Sequence, residues 1–358
     1  MRILITGICG FTGSTLAEAL LDTVASQPIE IIGIDNLSRA GSWLNWERLK
    51  NRGVRLRHAD IRQAGDLELL PSVDWVIDTA ANPSVLAGID GKSSSRQVLE
   101  NNLLGTINLL EFCKRIGAGF LLLSTSRVYS IEPLASLKVR TMGDRFEPIA
   151  QQQWPVGVGP SGVSETASVA APISLYGASK LASEALVLEY GYTFNLPVWI
   201  NRCGVLAGPG QFGRADQGIF AFWINAWLRR ERLRYIGFGG HGYQVRDCLH
   251  PRDLASVLWR QISSPSHAAP KTCNFSGGIV NSMSLAELSG WCTQRFGKCS
   301  PEADLGARPY DIPWLILDYN LARSTWNWEP QINLEQILEE IARHAEENPN
   351  WLALSSIE

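Results

Sequence analysis

The chain opens on a short apolar strand, Arg2 to Thr6, that runs straight into Thr6-Gly7-Ile8-Cys9-Gly10-Phe11-Thr12-Gly13 and then a helical stretch from Ser14 to Leu21. This T-G-x-x-G-x-x-G turn between a strand and a helix limits the fold more than any other segment. Glycines there allow a tight turn, let the backbone approach a pyrophosphate and let the helix pack closely, while the helix start offers free N–H groups and positive dipole. A second strand, Ile29 to Ile34, follows, and the acid Asp35 closes it, about 20 residues past the glycines, where the adenosine ribose of a dinucleotide is met. Gly7, Gly10, Phe11, Thr12 and Gly13 are therefore expected at the pyrophosphate, with Asp35, Asn36, Ser38 and Arg39 at the ribose. The charge of Asp35 repels a 2'-phosphate and favours NAD over NADP, a preference that Ser38 and Arg39 blur. Asp60 and Ile61, after a third strand, and Ala80 and Ala81, after a fourth, complete the expected cofactor edge, Asp60 at the adenine amino group.

Strands continue to alternate with helices: Val54–His58, Trp75–Ala80, a helix from about Gln97 to Arg115, Phe120–Leu123, a helix Tyr176–Tyr192 and Val198–Arg202. That alternation predicts a Rossmann-type, doubly wound parallel α/β sheet. With 358 residues a second, smaller, mainly C-terminal α/β lobe is expected. We place the nucleotide domain at 1–203, with a return to it around 236–274, and the lobe at 204–358. The polar, Gly- and Pro-containing stretch between Tyr129 and Tyr176 is too long for an ordinary connection and reads as a functional cover or a disordered segment.

A formal net charge of −3 provides no general field for phosphate backbones, so nucleic acid is not an expected partner. Seven cysteines without a C-x-x-C pair read as reduced core residues, no stretch has the length of a membrane span, and no leader precedes the first strand, so a soluble, cytoplasmic protein is expected. Trp223 and Trp227, four apart, mark a helix face buried in a lobe or a subunit contact. The same stretch, Phe220–Leu228 followed by Arg229, Arg230, Arg232 and Arg234, also has the composition of a membrane-surface helix.

Tyr176-Gly177-Ala178-Ser179-Lys180 is Y-x-x-x-K, which puts both side chains on one helix face. The lysine ammonium is expected to favour the phenolate, making Tyr176 an acid/base while Lys180 also holds the nicotinamide ribose. Thr125, in Leu123-Ser124-Thr125-Ser126-Arg127, ends a strand at the sheet's carboxyl edge and aims a hydroxyl at the reacting oxygen. No metal site is expected.

With these pieces in place the sequence resembles the extended short-chain dehydrogenase/reductase family, in its nucleotide-sugar epimerase and dehydratase branch, over nearly its whole length. The likeness includes Asn102 in N-x-x-G-T, Arg246-Asp247 and His250 in R-D-x-x-H, Asn274 with Gly277-Gly278, the pair Arg308 and Asp311, and Trp328-x-Pro330. It implies NAD as cofactor, Asn102 at the cofactor, Arg246 and Arg308 on a sugar nucleotide's pyrophosphate, and Asn82, Ser126, Arg127, Gln211, Gln217 and Gln244 about the substrate. Within the branch, Asp35-Asn36-Leu37-Ser38-Arg39, Gln211-Phe212, Asp216-Gln217-Gly218 and Gln244-Val245-Arg246-Asp247 are most like enzymes that invert carbon 2 of a CDP-linked sugar. That implies a CDP-sugar substrate and a homodimer or homotetramer. Departures are Ser126 and Arg127 where dehydratases carry an acid pair, which disfavours dehydration because an arginine stays protonated, Asp78 where the family often has histidine, and Val205 where 4-epimerases carry asparagine. A 4-epimerase, a 4-keto reductase and a non-catalytic NAD-binding scaffold are the alternatives.

Overall fold

The computed structural model describes residues 1–358 except 25–27, 90, 92–93, 216, 266–267 and 357–358. Seven strands, β1 (Arg2–Thr6), β2 (Glu30–Asp35), β3 (Arg55–His58), β4 (Trp75–Asp78), β5 (Gly119–Thr125), β6 (Val198–Cys203) and β7 (Thr272–Phe275), form one sheet in the order β7-β6-β5-β4-β1-β2-β3. Every pairing in it is parallel. The chain leaves β1 towards β2 and β3, then crosses back to β4, so the topological switch lies between β1 and β4, where Thr6 stands opposite Asp78. Ligands of such sheets bind beyond the carboxyl ends of the strands at that point.

The strands form because their runs of Ile, Leu, Val and Phe are covered on both faces. Helix α1 (Phe11–Thr23) and the helix Leu254–Ser263 bury Leu16, Leu20, Leu254 and Leu258 on one face, and the helices Gly105–Ile116 and Ser174–Phe194 bury Leu109, Phe112 and Val187 on the other. The edge strand β3 instead carries exposed Arg55 and His58, charges that discourage pairing with another chain. The single helix expected over 97–115 runs from Ser95 to Ile116, with its middle, Glu100–Leu104, in π geometry around the buried Asn102.

The stretch after Tyr129 is ordered. A short helix, Ile131–Ala135, leads to a hairpin, Val139–Met142 and Arg145–Pro148, whose turn docks on the lobe: Ser284 Oγ donates to the Asp144 carbonyl at 2.6 Å, and the Phe146 ring meets Phe238 and Tyr243 edge-on, 5.7 Å from each. In that lobe the helix Ile219–Leu228 packs against Leu285–Phe296 and Leu334–Glu347. Trp223 and Trp227 are buried there, donating to Ser289 Oγ and the Gly297 carbonyl at 3.0 Å. The membrane-surface reading of this helix is thereby overturned: its apolar face is the lobe core, Arg229 and Arg230 cap neighbouring chain carbonyls, and Arg232 and Arg234 pair with Glu302. No helix among the described residues is long and apolar enough to cross a membrane. The cysteines are free thiols, six buried and Cys299 half-buried.

One ion pair sits inside the sheet layer. Arg202, on β6, forks onto Glu184 of the 174–194 helix, with Nη2 to Oε2 at 2.6 Å and Nε to both oxygens at 3.1 and 3.2 Å. The same carboxylate accepts from Ser124, and Arg202 reaches the Tyr129 hydroxyl, which donates to Asn274. Removing one member of a buried pair strands the other's charge. Glu184→Ala should therefore lose about 3–5 kcal/mol in urea unfolding, while the double change Glu184→Leu with Arg202→Met loses clearly less.

Candidate active site

The glycine turn is shaped by what stands against it. Gly7 has φ +58°, and a Cβ there would lie 2.9 Å from the Ala80 Cα; a Cβ on Gly13 would lie 2.4 Å from the Gly7 carbonyl oxygen. Gly10 N–H closes the turn on the Gly7 carbonyl at 3.0 Å. Helix α1 then starts with no side-chain cap and no acid in its first turn, so its first N–H groups stay free at the positive end of the dipole. Asp35 is buried at the end of β2 and accepts from the N–H groups of Cys9 at 2.9 Å and Leu37 at 2.8 Å, tying the turn to the neighbouring strand. Burial pushes its carboxyl up, against the pull of those backbone donors. An uncapped helix start, a turn with no room for side chains and an acid beside it fit a dinucleotide: Gly7 to Gly13 at its pyrophosphate, Asp35 at its ribose diol.

Other residues expected at the cofactor make contacts within the chain. Arg39 donates to the Phe212 carbonyl, and Ser38 N–H bonds Asn36 Oδ1 at 3.0 Å. Asp60 is held within the chain: Arg62 grips both its oxygens, Asn36 donates to it at 3.0 Å, and the guanidinium brings the carboxyl down to about 2. Ile61 lies under Gly105, Ala80 abuts Gly7, and Ala81 is exposed. Asn102 was expected at the cofactor, yet its amide is spent inside the chain. It accepts from Asn82 N–H at 2.8 Å and donates to the Asn82 carbonyl at 3.1 Å and to Ser179 Oγ at 3.0 Å. It thus ties the loop after β4 to the helix bearing Tyr176.

At the centre, Thr125 ends β5 opposite Cys203 at the end of β6. Its hydroxyl accepts from Arg127 N–H at 3.2 Å, capping the turn Ser126–Val128, and acts on the Tyr176 phenol. Gly177 makes this approach possible, since a Cβ there would sit 2.2 Å from the Arg127 carbonyl oxygen. Burial pushes the Tyr176 phenol up, against the Thr125 hydroxyl and the Arg127 charge. Arg127 is thus a cation acting on the phenol that the Y-x-x-x-K spacing did not point to. Lys180, 2% exposed, is drawn below its ordinary value by burial, with Asp78 foremost among the groups that oppose this.

Away from the sheet, three guanidiniums converge. Burial, and then the charges of Arg246 and Arg308, bring Arg127 down to about 9, against Asp311 and Tyr176; it remains a cation at neutral pH. Asp311 accepts from Arg246, at 3.2 Å, and from Gln244, at 3.1 Å, and with Asp247 it faces this cluster. Such a pocket suits a diphosphate, which guanidiniums hold bidentately. Ser126 is buried beside it. Gln211 and Gln217 have other contacts: Gln211 donates to the Leu206 carbonyl at 2.8 Å and its own carbonyl accepts from Trp351 Nε1 at 3.0 Å, while Gln217 and Arg214 bond each other's backbone. His250 is structural, its Nδ1 accepting from Arg252 N–H at 3.1 Å and its Nε2 3.4 Å from Glu340.

Two carboxylates central to this geometry were outside the expected site residues. Asp247 is buried and accepts from the N–H groups of Val205 and Leu317 at 3.1 Å and from Ser276, joining β6 to the lobe. Gly204 admits it, since a Cβ there would lie 2.4 Å from its oxygen. Glu184 could have been suspected from its place four residues after Lys180 on a buried face.

A switch-point glycine turn facing a Thr-Tyr-Lys group defines a dinucleotide-dependent enzyme of short-chain dehydrogenase/reductase type. Residues 3–275 match the NAD dependent epimerase/dehydratase family, and the chain belongs to that family, with NAD as its cofactor. It is 29% identical over 352 residues to CDP-paratose 2-epimerase of Salmonella typhi (93% of this chain, 96% of that one) and 27% identical over 354 residues to UDP-glucuronate 4-epimerase of Thermodesulfobacterium geofontis (96% of each). The crystal structure of UDP-glucuronic acid 4-epimerase from Bacillus cereus, in complex with UDP-glucuronic acid and NAD, superposes with a TM-score of 0.75 at 25% identity, covering 97% of this chain and 99% of that one.

The crowding at Gly13 has a direct consequence. Gly13→Ala should destabilise the chain by about 1–3 kcal/mol and abolish the rise in melting temperature that NAD confers on the wild type, both read by thermal melts with and without NAD. An undiminished NAD-dependent rise would remove the glycine turn from the cofactor site.

Proposed function

We propose that the chain is a nucleotide-sugar epimerase that inverts carbon 2 of a CDP-linked dideoxy sugar, interconverting CDP-paratose and CDP-tyvelose. The observation that carries the reading is the Thr125–Tyr176 hydroxyl pair set between Lys180 and the three guanidiniums, with Ser126 and Arg127 in place of acids. Arg246 and Arg308 hold the diphosphate, which brings the sugar against Tyr176. NAD, when bound, accepts hydride from the sugar carbon and returns it to the other face. Tyr176 takes the hydroxyl proton as the carbonyl forms and gives it back on return. Thr125 holds the phenol at the sugar oxygen, and Lys180 supplies positive charge and a ribose contact. Arg127 cannot protonate a leaving hydroxyl at neutral pH, so elimination of water has no acid at this position.

The likeness to CDP-paratose 2-epimerase supports the choice of carbon 2. The relatives that act on UDP-glucuronate support a second reading, inversion at carbon 4. The two separate in one experiment: incubation with CDP-paratose or with UDP-glucuronate in deuterium oxide, followed by NMR for both epimers and by absorbance for NADH. Interconversion at carbon 2 without solvent deuterium there and without net NADH is the expected result. Turnover of UDP-glucuronate alone would replace it with the second reading, and stoichiometric NADH consumption would mark a reductase. Tyr176→Phe should slow the reaction by about 10²- to 10⁴-fold, with substrate affinity little changed.

A further inference from the structure

We propose that Asp78 is a positioning residue for the reaction centre, the buried counter-charge that keeps Lys180 an ammonium ion. Asp78 closes β4 at the switch point and is 1% exposed. Its carboxylate accepts from Thr6 Oγ1 at 2.6 Å, Thr106 Oγ1 at 3.2 Å and Ala80 N–H at 3.3 Å, all neutral donors. Among the described residues none of its partners is a cation. Lys180 has the opposite problem: the residue is 2% exposed and, among the described residues, no hydrogen bond from its ammonium is found. Thr106 Oγ1 bonds both Asp78 and, at 2.8 Å, the Asn102 carbonyl, which also accepts from Ser183 at 3.1 Å, so hydrogen bonds tie the carboxylate to the helix that carries Lys180, and opposite charges held close in a buried region stabilise each other.

Elimination supports the assignment. The groups facing Lys180 are Asp78 from β4, Glu184 from its own helix and Cys203 from β6, with Tyr176 one turn before it. Glu184 is committed to Arg202 through two nitrogens. Burial pushes the Cys203 thiol up to about 12, and Tyr176 is raised as well, so both are neutral at pH 7. Asp78, which faces Cys113 besides Lys180, is the anion left to act on the ammonium. The histidine that the family resemblance places at this position would supply no such charge when neutral.

The consequence for catalysis rests on the proposed role of Lys180, but the electrostatics can be tested apart from it. The chain has seven lysines, so protein labelled with [ε-13C]lysine gives few enough NMR signals to follow each against pH, with Lys180 assigned through Lys180→Arg. Asp78→Asn, which keeps size and an acceptor, should move the Lys180 midpoint to lower pH by about one unit or more. Thr106→Val, which removes a hydrogen bond from Asp78 but no charge, should leave the midpoint in place. An unmoved midpoint in Asp78→Asn, or an equal displacement in Thr106→Val, would overturn the proposal; if Asp78→Asn does not fold, Asp78→His above the histidine's own titration makes the same comparison. No sugar is needed for this readout. Retained epimerisation in Lys180→Met would instead count against the proposed function and leave the charge pairing standing.

Discussion

The helix Ser174–Phe194 carries Tyr176, Lys180 and Glu184 four residues apart, hence on one face, and all three are buried. A face with a phenol, an ammonium and a carboxylate can be buried only if each meets a suitable partner, because an uncompensated charge inside a protein costs several kcal/mol. The partners come from three adjacent strand ends: Thr125 and its turn from β5, Asp78 from β4, Arg202 from β6. Sheet register therefore sets the geometry of the reaction centre. A slip of one residue in β5 would carry Thr125 to the other face of the sheet.

The same constraint explains the supporting hydrogen bonds. Asn102, in its π turn, links the loop after β4 to Ser179 on this helix, and Ser183 donates to the Asn102 carbonyl at 3.1 Å. Asp247 joins the segment after β6 to the lobe strand that carries Arg246 and to Leu317. The cofactor edge, the reaction centre and the substrate pocket are thus braced against one another by buried polar groups. Such networks rigidify a site when every member is satisfied.

Charge is distributed unevenly along the cleft. The chain as a whole is slightly acidic, yet the three guanidiniums of Arg127, Arg246 and Arg308 meet the two carboxylates of Asp311 and Asp247 at one end, while Asp35 stands beside the glycine turn at the other. Attraction for a diphosphate arises locally, from side chains 127, 246 and 308 far apart in sequence, and net charge says nothing of it.

What could be read in the residues was whatever local chemistry dictates. The strand, glycine turn, helix and Asp35 follow from spacing because backbone sterics and helix ends act over a few residues; the Tyr176–Lys180 pair follows from helix geometry, and the parallel sheet from alternating periodicity. Burial of Trp223 and Trp227 was legible from their spacing, though what covered them was not. Tertiary structure decided which groups face each other: that Arg127 acts on the phenol, that Asp60 is held by Arg62, that Asn102 bonds Ser179, and that Asp78 is among the groups acting on Lys180. These depend on strand order and register across more than a hundred residues of chain, as between Asp78 and Lys180. Electrostatics acts through distance and burial, which no local pattern encodes.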